Sequence, residues 1–301
     1  MQNNIKRITV LMGGWSPEKE VSIKSGEYVA TVLKKMGYEV YQLYVEKDLK
    51  YITEELYKSN PDFIFNLLHG VGGEDGIMQG ILEVFGKPYS NSNVLSSAVC
   101  FNKSICKKIA KLSGANIVNG FDIMQNEIRK LGTEIPIKYP FVIKPVENGS
   151  SVGVFLIFNE SDLENLKNTD WTFGEDVMIE DYIEGREFSV LVINGKAIGA
   201  IEIMHKNKFY DYASKYEIGG SAHISSFELN QKAMLDMYSI SEKIFKACKC
   251  KGAARAEFIY DNENIYFLEI NTQTGMTELS IVPDIARFNN ISMEKLLEMH
   301  F

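Results

Sequence analysis

Carboxylate and amide side chains recur on two neighbouring apolar segments near the C-terminus. Arg255 and Glu257 alternate with apolar residues in the first segment, and Glu269 and Asn271 do so in the second. The two-residue period of a strand places each pair on one face. A connection with an odd number of residues, such as 262–264, would then set Glu257 opposite Glu269. These oxygens suit Mg²⁺, although a solvated sheet face carrying an Arg–Glu pair is the other interpretation.

A second group of residues could bind an anion. Lys144 interrupts an apolar run and is followed by a Gly/Ser loop containing Gly149, Ser150 and Ser151. A lysine in such a run either reaches solvent or neutralises an anion, because lysine is rarely buried unpaired. Together with Lys103 and the loop amides and hydroxyls, it could hold a triphosphate. The chain has neither a G-x-x-x-x-G-K-[ST] string nor a G-x-G-x-x-G string after its first strand, which disfavours Walker and dinucleotide-binding folds.

A third candidate region is the segment 69–76, which holds His69 and four glycines directly after a predicted strand. Open α/β sheets bind their ligands at this end of a strand, and glycines allow a ligand to approach the backbone. His69 taken alone is more typical of a hydrogen-bonded structural histidine. Without an H-E-x-x-H string, a zinc hydrolase is disfavoured. Residues 149–153 read G-x-S-x-G, but they are predicted as a hairpin loop between two strands and not as the strand-to-helix elbow of a serine hydrolase, which disfavours that class as well.

Composition sets wider limits. The 301 residues are 45% hydrophobic and 24% charged, which indicates a folded protein of two or three domains. A net charge of -8 disfavours a duplex nucleic-acid binder. The sequence lacks an export signal and a run of about 18 apolar residues, so we expect a cytoplasmic protein with no membrane span. Its four cysteines show no C-x-x-C spacing and are interpreted as idle buried thiols.

The elements that must position these residues follow from periodicity. The first third alternates strands (8–12, 38–45, 63–68) with helical patterns, the first helix starting at Ser16-Pro17, which predicts βαβ units and a parallel sheet. One helix is predicted over 93–113 and a long functional loop over 205–226. Asn194-Gly195 predicts a tight hairpin, and the Gly/Ser loop reads as a hairpin flap. Further strands are predicted at 139–146, 154–158, 177–183, 188–193, 197–203, 253–260 and 265–270, and helices at 229–247 and 292–299.

Taken in order, these strings resemble the ATP-grasp superfamily and, along nearly the whole chain, its D-alanine:D-alanine ligase family. The resemblance implies a three-domain α/β architecture that is α+β in its C-terminal part. Its domains would be an open parallel sheet (1–92), a central domain (93–182) and a C-terminal domain with the metal site and lid (183–301). The matching strings are Gly13-Gly14 to Glu18, Val21-Ser22, 69–80, Lys144-Pro145, 149–153, 209–212, Lys215-Tyr216, 269–271 and 275–277.

The resemblance also implies a reaction. The carboxylate of one D-alanine would attack the γ-phosphate of ATP, and the amine of a second D-alanine would displace phosphate from the acylphosphate, giving a peptidoglycan precursor. Mg²⁺ or Mn²⁺, as two ions, and a homodimer are expected from the same resemblance.

Site residues carry over by position. The nucleotide would contact Lys103, Lys144, Ser151, Glu180, Tyr182, Ile183, Glu187 and Lys215, and the metal ligands would be Glu257, Glu269 and Asn271. Glu18 would hold the first ammonium in a network with Ser150 and Tyr216, beside His69. Lys215, Ser280 and Ile281 would hold the second substrate, and Arg255 with the Gly275 amide would stabilise the oxyanion.

Three positions depart from the family pattern. Glu257 stands where aspartate is usual, which shifts a metal ligand by about one methylene. Thr274 replaces a proline before Gly275, and Ile281 replaces a leucine. Two alternatives stay open: a D-alanine:D-lactate ligase, disfavoured by Tyr216 where lactate users carry phenylalanine, and an ATP-grasp nucleotide-binding protein that has lost turnover.

Overall fold

A computed structural model describes residues 5–132, 135–205, 221–225 and 227–301 and contains three β-sheets. Parallel strands with interleaved helices form the first sheet, and antiparallel strands form the other two. This mixture confirms the predicted α/β class with an α+β C-terminal part. Among the described helices, none has the length and apolar character that crossing a membrane requires.

The N-terminal sheet has the strand order β2-β1-β3. Helix α1 buries Val29 and Leu33 against one face, in a core shared with Val10, and helices α2 and α3 cover the other face. These elements are β1 (Arg7–Gly13), α1 (Lys19–Lys35), β2 (Glu39–Val45), α2 (Leu49–Ser59), β3 (Phe63–Asn66) and α3 (Ile77–Phe85).

The predicted start of α1 at Ser16-Pro17 is wrong, because the helix begins at Lys19. The Ser16 hydroxyl instead donates to the His69 carbonyl at 2.6 Å and accepts from the Glu18 amide at 3.2 Å. Ser16 therefore organises the turn before the helix and ties it to the loop after β3.

The predicted helix 93–113 is two helices, α4 (Val94–Phe101) and α5 (Lys103–Leu112). Asn102 adopts an extended conformation between them, and its side chain accepts from the Ile105 amide at 3.0 Å. The break escaped prediction because the apolar pattern continues across it, while Asn102 acts as the N-cap of the second helix.

The central sheet has the order β4-β7-β5-β6. Its strands β5 and β6 pair antiparallel on either side of the Gly/Ser loop, which confirms the hairpin predicted for that loop. The elements are β4 (Gly120–Met124), a 3-10 turn (Gln125–Lys130), β5 (Phe141–Pro145), β6 (Phe155–Ile157), α6 (Glu160–Lys167) and β7 (Asp176–Asp181).

The C-terminal sheet has the order β10-β9-β8-β11-β12. Asn194-Gly195 joins β8 to β9 as predicted, since Ile193 pairs with Lys196. Residues 221–224, predicted as loop, form a strand paired with β9, which the polar composition did not indicate. The elements are β8 (Arg186–Ile193), β9 (Lys196–His205), β10 (Ser221–Ile224), α7 (Gln231–Ala247), β11 (Ala253–Tyr260), β12 (Ile265–Asn271), α8 (Ile281–Phe288) and α9 (Met293–Glu298).

Helices α4 and α5 lie in the core of the C-terminal sheet rather than in that of the central sheet. Cys106 and Ala110 share one buried cluster with Phe188, Phe245 and Phe267. Because α5 also contacts the loop after β5 through the Lys103 amide and the Val146 carbonyl, at 3.1 Å, it bridges the two sheets.

Candidate active site

A cleft of about 380 Å³ lies between the central and C-terminal sheets. Both sheets, helix α5 and the Gly/Ser loop contribute to its walls. Ten of the residues predicted from the sequence line it: Lys103, Lys144, Ser150, Ser151, Glu180, Tyr182, Ile183, Glu187, Glu257 and Glu269.

Strand alternation explains how the central sheet presents its charges. Phe141 and Ile143 of β5 are buried in the sheet's own core, which turns Val142 and Lys144 toward the cleft. Val142 pairs with Glu180 of β7, so Lys144 lies diagonally across from that carboxylate. The Lys144 ammonium and the Glu180 carboxylate are 2.5 Å apart.

Helix α5 supplies two further cations. Lys103 and Lys107 are one helical turn apart and therefore share a face of the helix. Lys107 forms a buried ion pair with Glu180, and the Lys103 ammonium lies 3.4 Å from the carboxylate of Glu269. Lys103 also donates to the Asn148 carbonyl of the Gly/Ser loop.

Glu180 is shared by two ammonium groups, which sets the charge of this wall. Burial alone would raise the pKa of Glu180, but Lys144 and Lys107 outweigh burial and lower it. Burial and the like charge of Lys144 lower the pKa of Lys107 to about 8. Burial alone would lower the pKa of Lys144, but the charge of Glu180 outweighs burial and raises the pKa of Lys144. The three groups together therefore carry a net positive charge suited to an anion.

The two acidic strands meet as the site requires, by a different route from the predicted one. Tyr260 pairs with Ile265, so the connection has four residues rather than an odd number. A bulge after Glu257 shifts the register, and Glu257 then pairs with Glu269. Because of this bulge the consecutive residues Leu268 and Glu269 both line the cleft.

These donors fit a magnesium ion. The carboxylates of Glu257 and Glu269 come from directly paired positions, and the Asn271 amide donates to Glu269 at 3.3 Å. Arg255 pairs across the strands with Asn271 and forms an ion pair with Glu257. Two carboxylates and an amide oxygen on one face form an all-oxygen set of the kind Mg²⁺ prefers.

Glu18 occupies a close-fitting pocket beside the Gly/Ser loop. Its side chain is 6% exposed and accepts a hydrogen bond from the Ser150 hydroxyl. A Cβ atom at Gly149 would lie 2.9 Å from a Glu18 carboxylate oxygen, and one at Gly70 would lie 3.0 Å from it. Side chains at either glycine would therefore displace the carboxylate.

His69 lies beside this pocket and is buried. Its Nδ1 atom is 3.3 Å from the Glu74 carboxylate. Burial lowers the pKa of His69, but Glu74, with the charge of Glu18, outweighs burial and raises it. Burial raises the pKa of the partner Glu74, so both groups of this pair hold a proton more strongly than they would in water.

The segment after β12 is fixed to distant parts of the chain by the side chain of its own Gln273. Gln273 donates to the carbonyl of Asn66, at the end of β3, and accepts from the Asn91 amide at 2.8 Å. The neighbouring Thr274, at the position where the family has proline, is 1% exposed. This segment thus connects β12, which carries Glu269 and Asn271, to the N-terminal sheet.

Gly275 and Ser280 lie at the start of α8. A Cβ atom at Gly275 would lie 3.0 Å from the Ser280 hydroxyl, which accepts from the Thr277 amide at 3.0 Å. Ile281 packs partly buried against the shared core of the N- and C-terminal sheets. Lys215 and Tyr216, like the segment 209–212, lie outside the described residues.

Sequence reasoning missed three contributors to this region. Lys107 lies in the helix predicted over 93–113 and was not assigned to the site, although its four-residue spacing from Lys103 places it on the same face. Glu74 was part of the glycine-rich loop but was not identified as the partner of His69. Glu202 lines the cleft and binds Arg186 through two hydrogen bonds of 2.7 and 2.8 Å, and no local pattern marked this pair.

Known proteins are similar to this chain in sequence. Residues 117–299 match the family described as D-ala D-ala ligase C-terminus. The chain is 41% identical over 296 residues to a D-alanine–D-alanine ligase of Rickettsia typhi, covering 97% of this chain and 90% of that protein.

Solved structures of ligases are also similar to this chain. A D-alanine–D-alanine ligase from Bacillus anthracis complexed with ATP superposes with a TM-score of 0.84 at 32% identity, covering 98% of this chain and 96% of that one. The VanG D-Ala:D-Ser ligase of Enterococcus faecalis superposes with a TM-score of 0.81 at 25% identity, covering 98% of each chain. These neighbours confirm the ATP-grasp architecture, and the chain belongs to the D-alanine–D-alanine ligase family.

Proposed function

We propose that this chain joins two D-alanine molecules at the expense of ATP, as the family name describes, to make a dipeptide for peptidoglycan. One observation carries the proposal: two lysines (Lys103 and Lys144), two paired carboxylates (Glu257 and Glu269) and the Gly/Ser hairpin face a single cleft of about 380 Å³. Phosphoryl transfer needs little covalent participation by the enzyme and much neutralisation of charge, which these residues provide.

ATP would lie between the central and C-terminal sheets. Lys103 and Lys144 would contact its phosphates together with Ser151, and Glu180, Tyr182, Ile183 and Glu187 would contact the base and ribose. Lys144 is already oriented by Glu180, at 2.5 Å, so little side-chain entropy remains to be lost when a phosphate binds.

Glu257, Glu269 and Asn271 would hold magnesium, as two ions. When bound, the metal would neutralise the charge that develops on the transferring phosphoryl group. The longer arm of Glu257 is compatible with this role, because Glu257 pairs with Glu269 across the two strands and both residues line the cleft.

The first D-alanine would bind through its ammonium group to Glu18. Ser150 orients that carboxylate by a hydrogen bond, and the close approach of Gly149 and Gly70 leaves it little room to move. His69 borders this subsite. The substrate carboxylate would then point toward the γ-phosphate, which is the geometry in-line attack requires.

The second step would use residues at the other end of the cleft. Arg255 and the Gly275 amide would stabilise the oxyanion formed when the second amine attacks the acylphosphate. Ser280 and Ile281 border the position for the second substrate, and Lys215 and Tyr216 are proposed to complete it.

The remaining proposals concern organisation. We assign the domain limits to 1–92, 93–182 and 183–301, with α4 and α5 packing across the last boundary. We also propose a homodimer located in the cytoplasm. Sedimentation of the purified chain would give a mass of about twice 34.1 kDa, whereas a single-chain mass at micromolar concentration would contradict the dimer.

A coupled assay of ADP release tests the function. The purified chain is incubated with ATP, Mg²⁺ and D-alanine, L-alanine, or D-alanine with D-lactate or D-serine, and the products are identified by mass spectrometry. We expect ADP release and D-alanyl-D-alanine with D-alanine alone. A depsipeptide formed preferentially at neutral pH would favour the lactate alternative, and ATP binding without ADP release would favour a protein that has lost turnover.

A further inference from the structure

The four cysteines of the chain, distant in sequence, converge in one buried cluster. Cys100 belongs to α4 and Cys106 to α5, while Cys248 and Cys250 follow α7. All four are free thiols and at most 7% exposed. The buried, unbridged thiols agree with the sequence interpretation, which did not anticipate that they lie together.

Three of the sulfur atoms are close enough together to share a metal ion, and the fourth contacts one of them. The Sγ atoms of Cys100, Cys106 and Cys248 all lie within 4.8 Å of one another. The Sγ atoms of Cys100 and Cys250 are 3.7 Å apart. Four sulfurs bound to zinc at about 2.3 Å are separated by about 3.8 Å. Cys250 lies outside the group of three that are within 4.8 Å of one another, so its side chain would have to move toward the other two sulfurs to complete a tetrahedron.

The loop after α7 delivers two of these thiols inward. Lys249 has a φ of 56°, a left-handed conformation that is uncommon for a residue other than glycine. This turn leaves Lys249 exposed and both Cys248 and Cys250 buried. The segment 246–251 also has three exposed lysines around the two cysteines, which would offset part of the negative charge of a metal–thiolate centre.

From this geometry we propose that the four-cysteine cluster, Cys100, Cys106, Cys248 and Cys250, binds one thiophilic d10 cation such as Zn²⁺. Sulfur ligands select soft or borderline metals over Mg²⁺, so the cluster is chemically distinct from the oxygen donors of the cleft. The site does not depend on the proposed ligase function.

A bound ion would connect α4, α5 and the loop after α7, which lie next to the cleft. It would join the α4–α5 junction, immediately before Lys103, to the loop that leads into β11. Metal binding would therefore stabilise the folded chain by linkage, because the unfolded chain does not present the four sulfurs together.

Cadmium provides a direct probe of the sulfur ligands. The full-length chain, purified reduced and free of metal, is titrated with Cd²⁺ in the presence of excess Mg²⁺, which occupies oxygen sites. We expect a sulfur-to-metal charge-transfer band in the ultraviolet that saturates at one equivalent per chain. Competition with a chromophoric chelator would then give the Zn²⁺ affinity, and alkylation followed by mass spectrometry would show all four thiols protected by metal.

Variants separate ligand loss from misfolding. Cys250→Ser, at the most exposed of the four positions, and Cys100→Ser should each weaken Zn²⁺ binding by roughly 100-fold or more. Glu269→Gln is the matched control at the oxygen site and should retain the full charge-transfer band. Circular dichroism of the metal-free variants checks that each is folded.

Two results would overturn the proposal. The first is a reduced, folded wild-type chain that shows no charge-transfer band and no protection of its thiols at saturating Cd²⁺. The second is a band that Cys100→Ser and Cys250→Ser both leave unchanged. Detection of a Cys100–Cys250 disulfide in a chain that takes up no metal when reduced would assign the cluster to redox chemistry instead.

Discussion

Replacing Glu180 by glutamine tests the charge arrangement of the proposed nucleotide site. The carboxylate lies 2.5 Å from the ammonium of Lys144 and also binds Lys107, and its side chain is 5% exposed. Glutamine keeps the shape of the side chain and removes the charge. Two ammonium groups would then be buried together without their shared counter-ion.

The size of the effect follows from the burial of these groups. Removing one partner of a buried ion pair costs about 3 to 5 kcal/mol. The pKa of Lys107 is already lowered to about 8 by burial and by Lys144. Loss of the carboxylate lowers it further, so Lys107 can release its proton at a cost of about 1.4 kcal/mol per unit. We therefore expect Glu180→Gln to lower the free energy of unfolding by about 3 kcal/mol at pH 7, the lower end of that range.

The pH dependence gives the prediction its sign. The unfolded lysine keeps its proton up to about pH 10.4, whereas the folded lysine releases it at lower pH. Between these values the unfolded state binds more protons, so raising the pH increases the free energy of unfolding. In the variant, Lys107 of the folded chain releases its proton at a lower pH than in the wild type, so this gain in stability begins at a lower pH. The difference in the free energy of unfolding between the wild type and Glu180→Gln should therefore become smaller between pH 7 and pH 9.

Urea unfolding of the ligand-free protein at these two pH values measures the effect. Glu175→Gln, the same change at an exposed position just before β7, is the matched control and should alter the free energy of unfolding by less than about 0.5 kcal/mol. Equal losses in the two variants, or a Glu180→Gln deficit that grows with pH, would refute the reasoning.

Three further predictions concern the site and the acid stability of the chain. Arg255→Ala should lower turnover by about 100-fold, the usual scale for an oxyanion donor, and near-normal ADP release would remove that role. Gly149→Ala should raise the KM for D-alanine, because its Cβ would lie 2.9 Å from the Glu18 carboxylate; Gly80→Ala, with nothing within 4 Å, is the control and should leave that KM unchanged. Burial lowers the pKa of His300 from 6.5 to about 4, so protonation of the unfolded chain should cost up to about 3 kcal/mol of stability as the pH falls through this interval. His300→Phe should show a shallower fall in urea midpoint between pH 7 and pH 4.5, and parallel curves would contradict the assignment.

Elements with a strong local pattern were predictable from the sequence. β11 alternates because Ala256 and Phe258 pack in the core while Arg255 and Glu257 face the cleft. The Asn194-Gly195 hairpin and the hairpin around the Gly/Ser loop also formed as predicted. In these cases the residues that determine the structure are neighbours along the chain, so their pattern is visible in the sequence.

Features that depend on contacts between distant segments were not predictable in this way. The bulge that aligns Glu257 with Glu269 has no local signature, and the odd-residue connection offered a simpler route to the same pairing. Cys100 and Cys250 are 150 residues apart and meet only because α4 packs beside the end of α7. The same limitation applies to Lys107, whose importance depends on a carboxylate from another sheet.

The attachment of Gln273 couples the backbone around Gly275 to the position of the N-terminal sheet. Proline would stiffen the backbone before Gly275 from within, whatever the surroundings. Here the side chain of Gln273 is anchored instead to Asn66 and Asn91, outside the C-terminal sheet. A small displacement of the N-terminal sheet would consequently move the backbone N–H of Gly275, so the orientation proposed for that group depends on how the sheets pack together and not on a stiff local backbone.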